Sequence, residues 1–177
     1  ELDDPEAELS GTWSTSTTQT PYVGDGYRYA GAAGAPNDGS AMATWRFTAA
    51  TGGVYQLNMA YTPHATRATN VPLTVTSGAY ITTFTVDQTV ERPVGSVVRP
   101  IGTVQLVTDE ETVITIGTSN TTGFVILDAV QLVLDTPAPE KPSVLPVFSD
   151  DAIGIDPATG EITLSLEAAA GHQFRLV

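Results

Sequence analysis

Apolar and polar residues alternate with a period of two along most of the first 118 residues, which is the pattern of strands rather than helices. In the segment Val54–Tyr61, one face carries four large residues: Tyr55, Leu57, Met59 and Tyr61. Similar segments, separated by turn residues, are Ala41–Phe47, Val71–Thr76, Ile81–Val86, Ile101–Val107 and Thr112–Gly117. The pattern predicts an all-β domain with strands suited to an antiparallel, jelly-roll-like β-sandwich.

The segment Phe124–Leu134 departs from the alternation, because it is apolar on both faces. We predict a single central strand that is covered on both sides. Its one carboxylate, Asp128, shares a face with Ile126 and Val130.

Residues 136–146 are rich in proline, and this predicts the domain organisation. Prolines remove hydrogen-bond donors and favour an extended spacer, so we predict a β-sandwich over residues 1–135 and a proline-rich linker over residues 136–146. Residues 147–177 are predicted to be a short β appendage, or the truncated start of a further module. Its three predicted strands are Ala152–Ile155, Ile162–Leu166 and Gln173–Val177.

Composition and charge exclude several classes of binding partner. The chain has 177 residues, no cysteine, and 20 acidic against 7 basic residues, for a net charge of −13. Such a charge repels phosphate backbones and anionic lipid, so neither nucleic acid nor a membrane surface is an expected partner. Nothing after Glu1 resembles a signal peptide, and we expect the chain to be part of a longer protein.

A series of short motifs occurs in a fixed order along residues 1–134. They are Gly11–Ser16, Tyr27–Ala30, Ala43–Trp45, Gly53–Tyr55, Arg67–Val75, Val86–Gln88, Ile101–Thr103 and Leu127–Val130. As an ordered set they resemble the golvesin C-terminal-like domain, also described as the carbohydrate-binding-like domain of xanthan lyases.

The resemblance implies a β-sandwich appended to secreted bacterial polysaccharide-active enzymes, which holds a glycan and carries no chemistry itself. It implies a secreted or cell-surface location, a polysaccharide partner of neutral or acidic type, and parent enzyme domains outside this chain. The alternative is a structural spacer or protein-interaction sandwich that binds no glycan.

Two clusters carry the side chains that sugar recognition needs, namely apolar rings and polar or charged groups. The first contains Tyr22, Tyr27, Arg28 and Tyr29, beside a loop rich in glycine. Tyr27 and Tyr29 lie two apart on one strand face, so the alternative is that they pack in the core.

The second cluster is the polar loop between two strands that contains His64, Arg67 and Asn70. The guanidinium of Arg67 suits a uronate or pyruvate carboxylate. Alternatively, Arg67 pairs with Asp128 or caps loop carbonyls. Arg92 is predicted to extend a binding groove, or to be part of a solvated loop.

Catalytic and metal-binding patterns are sparse. The motifs Gly-x-Ser-x-Gly and His-Glu-x-x-His are missing from the sequence, and we expect no enzymatic activity and no cofactor. The acidic residues 1–8 raise the alternative of a structural calcium ion held by Asp3 or Asp4 with Asp135. A solvated acidic end is the simpler prediction. Trp13 and Trp45 are expected in the core rather than as stacking platforms.

Overall fold

The computed structural model describes residues 2–138, together with the backbone of residues 153–155 and 162–164. The chain divides into two compact units, Glu1–Pro139 and Glu140–Val177. In the described part of the first unit the strands are β1 (Leu2–Asp3), β2 (Glu8–Ser10), β3 (Ser14–Ser16), β4 (Tyr27–Ala30), β5 (Met42–Thr48), β6 (Gly53–Ala60), β7 (Val71–Ser77), β8 (Tyr80–Val86), β9 (Val98–Leu106), β10 (Glu111–Gly117), β11 (Val125–Leu127) and β12 (Ala129–Pro137). A 3-10 turn, Asp4–Glu6, follows β1.

The strands of the first unit form three antiparallel sheets. A four-stranded sheet has the order β1-β12-β6-β9, and a five-stranded sheet has the order β2-β5-β10-β7-β8. The order of the third sheet is β11-β4-β3. The described part of the first unit is therefore an all-β antiparallel sandwich, as the alternation predicts.

The core lies between the inward faces of the two larger sheets, since apolar residues from both sheets form one buried cluster. The four-stranded sheet contributes Leu57 and Met59, and the five-stranded sheet contributes Leu73 and Ile114. Trp45 is 1% exposed, and its indole N–H donates to the carbonyl of Asp3 at 2.9 Å. The prediction that Trp45 is a core residue is therefore confirmed.

The prediction of one central strand over Phe124–Leu134 is wrong. The chain breaks at Asp128, and β11 and β12 belong to different sheets. The buried carboxylate of Asp128 accepts the backbone N–H of Val23 at 3.1 Å, which holds the break in place. The second half of the predicted strand is not covered on both sides either, because Val133 and Leu134 are exposed.

The second unit contains a described pair of antiparallel strands, β13 (Ile153–Ile155) and β14 (Ile162–Leu164). They coincide with two of the predicted strands, while Gln173–Val177 lies outside the described residues. The first two residues of the predicted linker belong to β12, in which Pro137 pairs with Gly53. Residues 139–146 lie outside the described residues. Among those described, no helix is long and apolar enough to cross a membrane.

Candidate functional site

The three-stranded sheet forms the floor of the candidate site. Its middle strand, β4, pairs Tyr27 with Ser16 on one side and Tyr29 with Ile126 on the other. Tyr27 is 4% exposed and Tyr29 is half-buried. Both lie on the same face of β4, since residues two apart in a strand share a face. Two neighbouring pockets open here, and Tyr27 and Ser16 line both.

The first pocket, which we call the arginine pocket, has a volume of about 320 Å³. Aromatic rings form much of its wall: Tyr29 and Phe124 meet edge to face, with ring centroids 5.5 Å apart and planes at 86°. The guanidinium carbon of Arg67 lies 5.7 Å from the centroid of Phe124, in cation–π contact. The full lining is Ser16, Thr18, Gln19, Tyr27, Tyr29, His64, Thr66, Arg67 and Phe124.

The backbone fixes Arg67 beside Phe124 through a parallel β-bridge. Phe124 N–H donates to the Thr66 carbonyl at 3.0 Å, and Ala68 N–H donates to the Phe124 carbonyl at 2.9 Å. This close approach needs Gly123, since an added Cβ would lie 2.8 Å from the Thr66 carbonyl oxygen and φ is +97°. The position of Arg67 therefore depends on a contact between segments distant in sequence.

Two further bonds hold the side chain of Arg67. Its Nε donates to the Thr62 carbonyl at 3.1 Å, and one terminal nitrogen lies 3.3 Å from Thr62 Oγ1. Of the two structural alternatives predicted for Arg67, capping of a loop carbonyl is therefore present. Pairing with Asp128 is not, because Arg67 bonds Thr62 instead. Half-burial does not remove Arg67 from the pocket, which it lines.

Burial lowers the pKa of the Arg67 guanidinium below its ordinary value, and its interactions with the Tyr27 phenol oppose this shift. Arginine remains charged at neutral pH even so. As the structure describes it, the lining of the arginine pocket contains no aspartate or glutamate. The site therefore combines a partly desolvated positive charge with aromatic faces and hydroxyl groups.

His64 is exposed at the edge of this pocket and is oriented by its own loop. Its Nδ1 accepts the backbone N–H of Thr66 at 3.2 Å and lies 2.9 Å from Thr66 Oγ1. An accepting Nδ1 places the proton of the neutral ring on Nε2. His64 can therefore contribute a hydrogen-bond donor to the pocket.

The second pocket, which we call the acidic pocket, has a volume of about 470 Å³. It carries Asp3 and Asp25 together with Arg28. Gly24 has φ of +62°, and any side chain there would collide with the carboxylate of Asp3. The full lining is Asp3, Pro5, Thr15, Ser16, Thr17, Gly24, Asp25, Gly26, Tyr27 and Arg28.

The sequence matches the family model of the golvesin C-terminal domain over residues 1–134. The chain belongs to this family. The predicted family resemblance is therefore confirmed.

Solved structures of larger enzymes contain similar domains. Xanthan lyase from Paenibacillus is 31% identical with a TM-score of 0.66, over 76% of this chain and 13% of that one. A mannanase with a CBM35 module from Podospora anserina is 20% identical with a TM-score of 0.50, over 87% of this chain and 31% of that one. The latter likeness concerns the fold alone. No curated protein sequence matches significantly. The chain thus spans only a small part of each of these enzymes.

The golvesin domain brings four members of the two predicted clusters together in the arginine pocket: Tyr27, Tyr29, His64 and Arg67. Arg28 lines the acidic pocket instead. Tyr22 packs against Tyr27, with ring centroids 6.2 Å apart, and contributes to the edge of the core. The burial of Tyr27 agrees with the alternative that it packs in the core, although the residue still lines both pockets.

The remaining predicted residues lie outside both pockets. Asn70 donates to the Asn120 carbonyl at 2.7 Å and ties two loops together. Arg92 donates to the carbonyls of Pro21 at 3.0 Å and Val97 at 3.1 Å, and lines a separate pocket. The prediction that Arg92 extends the same groove is therefore not supported.

Sequence reasoning did not select Phe124 or the segment after β3 as binding residues. Tyr29, a member of the first predicted cluster, lines the arginine pocket. Phe124 gave no local signal, since it reaches the pocket through its bridge to Arg67. The turn after β3 is held by Ser16 Oγ, which accepts the N–H of Thr18 at 3.2 Å.

The geometry separates Asp3 from Asp135, one of the two pairs in the calcium alternative. Asp3 pairs with Ala129 in β1 and β12. Asp135 lies six residues further along β12, which corresponds to roughly 20 Å. Asp3 and Asp135 therefore cannot share an ion. Within the described residues, no group of three or more acidic or histidine side chains could hold a metal.

Proposed function

We propose that the golvesin domain is a noncatalytic carbohydrate-binding accessory domain of a secreted bacterial polysaccharide-active enzyme. The observation that carries this proposal is the arginine pocket, in which aromatic rings, hydroxyl groups and a guanidinium line one open cavity. The similarity to a small part of xanthan lyase supports an accessory role within a larger enzyme.

The lining of the arginine pocket suits a sugar ring. Tyr29 and Phe124 offer apolar faces to C–H groups, while Ser16, Thr18 and Gln19 offer hydrogen bonds to hydroxyl groups. The volume of about 320 Å³ is at the lower end of the range for small-molecule sites, about 300–1,000 Å³. One or two sugar units of a chain would fit such a site.

A binding role agrees better with this pocket than a catalytic one. Glycoside hydrolysis ordinarily requires two carboxyl groups across the scissile bond, and the described lining of the arginine pocket contains none. A weak module of this kind is useful because tethering raises the local concentration of substrate around the enzyme.

Affinity gel electrophoresis of the full 177-residue chain tests the proposal. The gels would contain xanthan, alginate, pectin or a neutral glucan, with a gel lacking polysaccharide as the reference. We expect retarded migration in at least one polysaccharide gel. Migration unchanged in every gel would favour the spacer alternative and contradict the proposal.

Incubation of the same polysaccharides with the chain tests the noncatalytic part. We expect no new reducing ends and no unsaturated products. Product release that scales with protein concentration would show that the domain is an enzyme.

A further inference from the structure

Arg67 differs in its surroundings from other arginines of the sandwich. Arg46 lies at the surface between Glu8 at 3.6 Å and Glu111 at 3.3 Å. Arg99 donates to the Tyr61 hydroxyl and the Asp87 carbonyl, each at 3.1 Å. Arg67 is half-buried in a pocket whose described lining carries no acid. Its charge is thus not balanced within the pocket.

The guanidinium of Arg67 also retains hydrogen-bonding capacity. Arginine has five N–H donors in a planar fork. Thr62 takes two of them, and the Tyr27 phenol interacts with the group as well, which leaves donors for a ligand. The contacts with Thr62 and Phe124 fix the plane of the fork in advance, so less conformational freedom is lost on binding.

The absence of acid from this lining stands out against the chain as a whole. The protein has 20 acidic residues and a net charge of −13, which repels an acidic polysaccharide at long range. Close approach of such a polymer therefore requires a local positive site. The arginine pocket provides one, with the exposed His64 at its edge.

We infer that the arginine pocket binds a carboxylate carried by a sugar, with Arg67 as its ion-pairing partner and the rings of Tyr29 and Phe124 against the sugar. This inference rests on the proposed function and specifies its ligand. A uronate and a pyruvate ketal both present such a carboxylate. Charge-assisted hydrogen bonds are roughly twice as strong as neutral ones, so a neutral sugar gains less from the same fork.

Isothermal titration calorimetry of the full chain with modified xanthans tests the inference. The ligands are native xanthan, xanthan freed of pyruvate, and xanthan whose carboxyl groups are reduced to alcohols. Alginate serves as a polymer that carries uronate alone. We expect carboxyl reduction to weaken binding by at least about tenfold. Loss on removal of pyruvate alone identifies the ketal, whereas retention there together with alginate binding identifies the uronate.

The variant Arg67→Gln should lower the affinity for native xanthan by a similar factor, and Arg67→Lys should restore it only in part, because lysine lacks the fork. Arg46→Gln is the matched control: it makes the same charge change at the surface of the five-stranded sheet, and we expect less than a twofold effect. Circular dichroism checks that each variant is folded. If Arg67→Gln does not fold, the comparison of native with carboxyl-reduced xanthan on the unmodified chain still shows whether binding needs the carboxylate.

The outcomes separate the two proposals. If carboxyl-reduced xanthan binds as tightly as native xanthan, the inference about Arg67 is overturned while glycan binding stands. If none of the four ligands and no neutral glucan binds, the proposed function itself fails.

Discussion

The arginine pocket and the acidic pocket share a wall but differ in charge. Ser16 and Tyr27 line both, so the strand pair β3–β4 supplies the same surface to each. The loop around Arg67 completes one pocket, and two separate segments, around Asp3 and around Asp25, complete the other. The difference in charge therefore arises mainly from the segments that surround the shared strand pair, and not from the net charge of the chain.

Placing a carboxylate in the arginine pocket should have the largest effect on this difference. Gln19→Glu would give Arg67 an internal counterion and repel a ligand carboxylate, and like charges in close contact are strongly unfavourable. We expect the affinity for an acidic glycan to fall by about tenfold or more. Calorimetry at constant ionic strength measures this change.

Thr17→Glu is the matched control, since Thr17 lies two residues away, is exposed like Gln19 and lines only the acidic pocket of the two. It adds the same charge to the same segment, and we expect less than a twofold loss. Equal losses for the two variants would mean that overall charge, and not the local lining, controls binding.

Phe124→Leu should have the next largest effect, because it removes the ring that contacts both Arg67 and Tyr29. Cation–π contacts of partly exposed groups contribute about 0.5–1 kcal/mol, so we expect a two- to fivefold weaker affinity. Phe47→Leu makes the same change in another half-buried phenylalanine that packs against the core. A comparable loss of affinity in Phe47→Leu would attribute the effect to stability rather than to the pocket.

Sequence reasoning predicted the sandwich because its signal is local. Alternation over Val54–Tyr61 identifies the buried face of β6, and the core confirms it in Leu57 and Met59. The switch between sheets at Asp128 could not be predicted in the same way. It depends on the N–H of Val23, which lies 105 residues away in the chain.

The candidate site shows the same limit. The sequence identified Arg67, His64 and Tyr27 by residue type, and the fold places them in one pocket. It could not separate them from Asn70 and Arg92, because a polar loop residue that binds a ligand and one that bonds a carbonyl have the same sequence signature. Only the three-dimensional partners, such as the Asn120 carbonyl, distinguish the two roles.

Removing the Tyr27 hydroxyl from the wall that the two pockets share should have a smaller effect on glycan affinity. In Tyr27→Phe the ring still fills its buried position, but the phenol that interacts with Arg67 is lost. We expect about a twofold weaker affinity for an acidic glycan and an unchanged affinity for any neutral glycan that binds. Tyr55→Phe is the control, because Tyr55 lies in β6, which contributes no residue to the described lining of the arginine pocket, and its hydroxyl donates to the Thr51 carbonyl. Equal weakening for acidic and neutral glycans would show that Tyr27 acts through packing rather than through Arg67.

The smallest expected effect comes from neutralising the acidic pocket. Asp25→Asn removes an exposed negative charge near an acidic ligand in the neighbouring pocket. Because charges in water are weakly coupled and screened beyond about 8 Å at physiological ionic strength, we expect an affinity gain of less than twofold that disappears at high salt. Glu110→Gln at the tip before β10 provides a control for net charge alone. A gain well above that of the control, persisting at high salt, would mean that one glycan chain crosses the shared wall and occupies both pockets.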